Sequence, residues 1–366
     1  MERLGFEFYF FFLAGFFSIF CLSIGISVLL QKWFLKIGVV DQASVDPSKK
    51  KHSGAVALTV GSGAVLLALG AMLLPVIAEK FGIANFYNYT PLSTEWANQI
   101  IFFVAAVLIL LAGGYIDDKY KVKPITQLVF VGLAVALVIV SGVRIKVEFI
   151  QNYIPYLSPA LLSIVVTGLW LYICSAATKF LDGHDGLVTT VGITGLLGIA
   201  AIALLDRIQN PLYAYFALTW VFALAGFLPL NFPRARAYLG EGASIAIGFC
   251  IGYLSIVINS KVAVSNAILG LFLLDLFLVW ILRYRQGRNF FTSGDRLHWH
   301  HRLLDTGLDK LQVLAFTTVI ILINIHIAIW QALANNNNFS LYQFFGFVVT
   351  LLAVSLFLKR KKTSRA

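Results

Sequence analysis

The chain has 366 residues, of which 59% are hydrophobic and only 12% charged, and its mean hydropathy is +0.85. Soluble domains carry about 25% charged residues, so a soluble enzyme or binding module is excluded and a polytopic, all-α integral membrane protein is predicted. The net charge of +11 would point a soluble protein toward nucleic acid. In a membrane chain it follows from basic loops on one face, and no nucleic-acid partner is expected.

Apolar segments long enough for about 30 Å of hydrocarbon recur from end to end. They cover residues 8–30, 55–78, 97–114, 125–140, 161–176, 189–205, 212–229, 244–258, 262–282, 311–333 and 341–358. The sixth and eighth are short, so the prediction is ten or eleven transmembrane helices in a single domain over residues 1–366. The first segment is too long for a cleavable signal and has no small-residue cleavage site after it. Cys21, Cys174 and Cys250 all lie inside apolar runs, which suggests neither disulfides nor thiol chemistry. The run Asn335–Asn338 reads as a loop tip.

If the segments alternate across the bilayer, one face collects most of the 28 Lys and Arg residues. It receives Lys32, Lys36, Lys49, Lys50 and Lys51, then Lys119, Lys121 and Lys123, then Lys179, Arg234 and Arg236. The loop from Arg283 to Lys310 and the tail from Lys359 to Arg365 fall on the same side. Such asymmetry predicts that this face is cytoplasmic and that the N-terminus lies outside. The acids Asp117, Asp118, Asp182, Asp185, Glu241 and Asp295 share that face, as do His52, His184, His298, His300 and His301. A transporter is expected to carry polar groups near the midplane and often inverted repeats; neither is visible, and the pattern predicts an enzyme cleft open to the cytoplasm.

Three acidic clusters each begin where an apolar segment ends: Asp117-Asp118, Asp182-Gly183-His184-Asp185-Gly186, and Glu241 within Gly240-Glu241-Gly242-Ala243-Ser244. Neighbouring acids repel, which favours a cation, a shared proton or exposure. Carboxylates from several segments suit a hard cation such as Mg²⁺, which prefers oxygen ligands and shares them with phosphates. Separate helix caps are the competing reading, because Asp and Gly also cap helices. The stretch with Arg283, Arg285, Arg288, Arg296 and His298-Trp299-His300-His301-Arg302 suits phosphate, which guanidinium groups hold bidentately. Zinc and a solvated basic loop are its alternatives. Asp275, inside an apolar segment, fits either a buried pair with an arginine such as Arg283 or a part in the site, and His326 reads as a packing residue.

These motifs, in this order, resemble the polyprenyl-phosphate N-acetylhexosamine-1-phosphate transferases (glycosyltransferase family 4 type), integral membrane enzymes that initiate cell-wall and surface-polysaccharide assembly. Asp41 with Lys50, Lys51 and His52 resembles the family's first cytoplasmic loop, although Ala55 and Ala57 replace its two usual prolines. Gly114 to Asp118 with Gln127 is similar to the Asp-Asp motif, and Asp182 to Leu187 to the Asp-Gly-x-Asp-Gly-Leu motif. Asn231, Pro233 and Gly240 to Ser244 resemble the Gly-Asp-x-Gly-Ser loop; Asp275, Arg283 and Asp295 to Leu303 resemble the final motif. The form of that last motif is closer to the GlcNAc-1-phosphate transferase branch than to the phospho-MurNAc-pentapeptide transferase branch of peptidoglycan synthesis. Two departures concern the metal. Lys179 and Ala176 stand where the family usually has two asparagines, the one at position 179 being associated with the metal, and Glu241 stands in place of a metal-binding Asp.

The resemblance implies transfer of a sugar 1-phosphate from a UDP-N-acetylhexosamine to a polyprenyl (undecaprenyl) phosphate in the plasma (inner) membrane, with release of UMP. It implies Mg²⁺, or Mn²⁺ in its stead, held by Asp118 and Glu241. Asp117 would orient the lipid phosphate or act as its base, and Asp182 and Asp185 would meet the metal or the nucleotide. Lys51, His52, Lys179, Arg296, His298, His300, His301 and Arg302 would bind the substrates. A homodimer is compatible with this reading. The rival classes are a lipid-linked sugar transporter and a catalytically inactive membrane scaffold.

Overall fold

A computed structural model describes residues 6–41, 55–81, 94–147, 156, 158–205, 210–258, 263–285, 287 and 298–334. Helices make up almost all of it: α1 Phe6–Ile37, α2 Gly61–Lys80, α3 Thr94–Tyr120, α4 Pro124–Val140, α5 Pro159–Leu181 and α6 Leu187–Ala203. They continue as α7 Pro211–Asn231, α8 Glu241–Val257, α9 Ala263–Arg285, α10 Trp299–Asp305 and α11 Lys310–Ala334. Each apolar segment from 8–30 to 311–333 overlaps one of these helices, and 341–358 lies outside the described residues. Six of them, α1, α2, α3, α5, α7 and α11, are long and apolar enough to cross a membrane. The apolar helices α4, α6 and α8 have 17 residues each, at the short end of the spanning range. The chain is an all-α polytopic membrane protein.

Prolines open three helices at their first position, Pro124 in α4, Pro159 in α5 and Pro211 in α7, where the missing N–H forgoes no helical bond. In α3 the helix continues past the apolar run to Tyr120, so Asp117 and Asp118 occupy its last turn rather than a loop.

Helix α8 is the centre of the bundle. Every residue from Gly242 to Ser255 is buried, with α3, α5 and α6 packed around it. A helix apolar on all sides belongs inside a protein or a bilayer, and glycines let its neighbours come close. A Cβ on Gly114 of α3 would run into the backbone of Gly242, and one on Gly248 into the carbonyl of Cys174 in α5. The end of α3 and the start of α8 therefore touch backbone to backbone.

Two short strands, β1 Val40–Asp41 and β2 Val56–Ala57, pair antiparallel with Val40 opposite Ala57. The loop before α8 adds to this ribbon. Tyr238 N–H donates to the Ala57 carbonyl at 2.9 Å, and Val60 N–H to that of Tyr238 at 3.2 Å. The link between β2 and α2 is thereby fixed against the approach to α8.

Candidate active site

The junction of α3 and α8 sets the geometry. The first N–H groups of a helix lack intrahelical partners and carry partial positive charge. Asp118, on the last turn of α3, accepts the Glu241 N–H at 3.1 Å through Oδ2, and the same oxygen accepts the Thr59 hydroxyl at 2.5 Å. Thr59 has φ +62°, a conformation costly for a β-branched residue. The bonds of Val60 and Tyr238 on one side and Asp118 on the other hold it there. Thr59 carries no motif and was not singled out in the sequence.

The Glu241 side chain folds back on this junction. Its Oε1 accepts Gln127 Nε2 from α4 at 2.5 Å and lies 2.6 Å from the Lys179 ammonium of α5. Lys179 also acts electrostatically on Asp117, as does Glu241. Asp182, the residue closing α5, faces Glu241 and Asp118. Removal from water and those two carboxylates push its carboxyl well above the usual range, against one hydrogen bond from Ser244. Asp117, Asp118, Asp182, Glu241 and Lys179 thus stand within electrostatic reach at one end of the bundle.

Asp185 is drawn the other way. Its Oδ2 accepts Lys310 Nζ at 2.7 Å and the N–H groups of Arg234 and Ala235 at 3.2 and 3.3 Å. It ties the start of α11 to the loop leaving α7. Asn231 completes that tie, accepting the Thr189 hydroxyl at 2.7 Å and donating to the Ala237 carbonyl at 3.0 Å.

The histidines form a second group. Asp275 of α9 is buried and accepts Arg302 Nη2 at 2.5 Å, the Trp299 N–H at 3.0 Å and His298 Nδ1 at 3.1 Å. Asp275 does pair with an arginine, Arg302. These bonds dock α10 with Trp299 fully buried and stack His298 parallel to His300. His300 sits against Gly183, its ring 6.2 Å from His184 and 4.3 Å from His301. Neither ring nitrogen of His300, nor Nε2 of His184, has a hydrogen-bond partner among the described residues. Lys51, His52 and Arg296 lie outside the described residues.

Burial, reinforced by the neighbouring imidazoles of His301, His184 and His298, holds the His300 pKa well below its ordinary 6.5, and burial lowers that of His184. In the unfolded chain the same imidazole takes up a proton at the ordinary value. The unfolded state therefore binds more protons, and stability is lost as pH falls through 6.5. Thermal unfolding in detergent should show this acid-side loss for the native protein and a smaller one for His300→Gln.

A divalent cation meets this site poorly. Among the described residues, no group of three or more His, Cys, Asp or Glu side chains is arranged to hold one. The two expected donors are engaged: Asp118 Oδ2 by Thr59 and the α8 N-terminus, Glu241 Oε1 by Gln127 and Lys179. A monocation about 4 Å from a divalent ion adds about 8 kcal/mol of repulsion at an effective dielectric of about 20, of which the surrounding carboxylates offset a part. The residues present do not fit the ion.

Fold and site define a multi-pass membrane protein with a cluster of charged side chains at one end of its helices. Its residues 100–259 match the model of glycosyl transferase family 4, a family that is generally metal-dependent. The chain is 26% identical over 293 residues to a probable undecaprenyl-phosphate N-acetylglucosaminyl 1-phosphate transferase of Bacillus subtilis, covering 77% of this chain and 74% of the relative. It is 29% identical over 233 residues to a decaprenyl-phosphate N-acetylglucosaminephosphotransferase of Mycobacterium tuberculosis, a match spanning 56% of each chain. A phospho-N-acetylmuramoyl-pentapeptide-transferase of Staphylococcus haemolyticus is 28% identical over 227 residues, 57% of this chain and 69% of the relative.

Proposed function

We propose that this chain transfers N-acetylglucosamine 1-phosphate, or a closely related sugar 1-phosphate, from a UDP-sugar to a polyprenyl phosphate. A phosphate oxygen of the lipid attacks the sugar-bearing phosphorus, the bond to UMP breaks, and UMP leaves with its electron pair. The product is a lipid-linked sugar diphosphate. The substrate names of the B. subtilis and M. tuberculosis relatives support this choice over the muramoyl-pentapeptide reaction.

The observation that supports the reading is the backbone contact between α3 and α8, beside which Asp117, Asp118 and Glu241 stand with Lys179 against Glu241 at one end of the bundle. Both reactants are anions, so the site's work is positioning and charge compensation. Lys179 offers positive charge beside Asp117, which faces the lipid phosphate and orients it. His184 and His300, neutral and with ring nitrogens lacking protein partners, offer hydrogen bonds to the nucleotide diphosphate. His298, His301, Arg302 and Arg296 add to that side, with Lys51 and His52 toward the lipid. Magnesium is the cation that the resemblance implies, and no step here is assigned to it. The basic loops support a plasma-membrane protein with the cleft in the cytoplasm and the N-terminus outside.

The test is UMP release from UDP-N-acetylglucosamine by purified protein with undecaprenyl phosphate. Native protein should release UMP in proportion to lipid-linked sugar formed, and Asp117→Asn should lower the rate by about a hundredfold or more. Sugar movement across vesicles without UMP would point to a transporter and end the proposal.

A further inference from the structure

We infer that the ammonium of Lys179 stands, in this chain, where a divalent cation would otherwise stand: fixed by Glu241, it supplies the positive charge that meets the substrate diphosphate. This rests on the transferase reading and assigns a chemistry to its charge centre.

Of the positions that the resemblance associates with the metal, 118 keeps its carboxylate, while 179 and 241 depart from the pattern in a matched way. A neutral amide is replaced by an ammonium, and the carboxylate opposite is lengthened by one methylene. The two side chains meet at 2.6 Å, although they are far apart in sequence and on different helices. At this pair an ion would meet a carboxylate oxygen already neutralised by a cation of the chain itself.

The pair is also held rigidly. Gln127 donates to the same Glu241 oxygen, and the Glu241 backbone is tied to Asp118. The ammonium is therefore placed to within the slack of one short contact, as a bound ion would be. The Lys179 side chain keeps 31% exposure, enough for an incoming anion to reach it. An ammonium has three donors; Glu241 takes one, leaving N–H groups for phosphate oxygens. Its charge sits beside Asp117, where the lipid phosphate is proposed to lie. No bond to Lys179 forms or breaks.

The test uses the whole protein in detergent with Mn²⁺ alone as the probe, read by electron paramagnetic resonance, alongside UMP release with and without EDTA. Native protein and Glu241→Gln should bind Mn²⁺ equally weakly, because the cluster holds no ion. The double variant Lys179→Asn, Glu241→Asp should bind it about tenfold tighter or more, the scale on which changes around a metal site act. UMP release by native protein should survive EDTA, Lys179→Met should abolish it, and Lys179→Arg should retain part. A saturable Mn²⁺ site in native protein that Glu241→Gln removes would overturn the inference whether or not UMP is made. Absence of UMP under every cation condition would instead refute the transferase reading, with the Mn²⁺ comparison still judging Lys179.

Discussion

Gly114→Ala is expected to lower the rate of UMP release by about a hundredfold, with a stability loss of about 1–3 kcal/mol. The added methyl falls on the backbone of Gly242, so neither a rotamer change nor a flexible neighbour can absorb it. Overpacking a tight contact costs about 1–3 kcal/mol, and here the strain is relieved by parting α3 from α8. That movement pulls Asp118 from the Glu241 N–H and carries Asp117 away from Lys179. A misplacement of about 1 Å at a reacting centre costs about a hundredfold in rate. Gly242→Ala should act similarly, since its methyl would lie 2.9 Å from the Leu111 Cα and 3.0 Å from the Leu110 carbonyl. Gly132→Ala in α4 is the control, because nothing lies within 4 Å of a Cβ there. Equal losses in Gly114→Ala and Gly132→Ala would show that helix packing in general, and not this junction, sets the rate.

Asp275→Ala is expected to destabilise the protein by about 3–5 kcal/mol, the cost of removing one partner from a buried ion pair. The carboxylate is 5% exposed and Arg302 19%, so the stranded guanidinium has little water to turn to. The Trp299 N–H and His298 lose their acceptor in the same step. Asp275→Asn keeps one acceptor oxygen and should cost less, about 1–3 kcal/mol. Both changes loosen α10, which carries His300 and His301. Among variants that still fold, KM for the UDP-sugar should rise more than kcat falls. Thermal unfolding in detergent and steady-state kinetics separate the two effects, and unchanged stability in Asp275→Ala would refute the anchoring role.

The helices could be read from the apolar runs because a bilayer imposes both their length and their composition. The same logic placed Asp117 and Asp118 beyond the end of a helix, when they belong to its last turn. Hydropathy marks where lipid ends, not where hydrogen bonding ends. The ribbon of β1 and β2 was not legible: four residues give no periodicity, and its third partner, Tyr238, is supplied by a distant loop. Thr59 was missed for the same reason, since its role comes from a backbone conformation set by those contacts. The departures at Lys179 and Glu241 were visible one by one in the sequence. Their pairing was not, because it depends on how α5 crosses α8 at Gly248. Asp185 and Lys310 were legible as charges on one face and became a specific tie only through the fold.

Helix α8 has a consequence for how the protein is made. With every side from Gly242 to Ser255 enclosed, it gains little from lipid and much from neighbours that the ribosome has already delivered. Helices α3 and α5 precede α8 in the chain, so the packing around α8 can be completed only once α8 has been made. The carboxylate at its tip and the ammonium it meets are therefore joined late in synthesis, and a chain cut short before Glu241 would be inserted in the membrane yet have no reactive end.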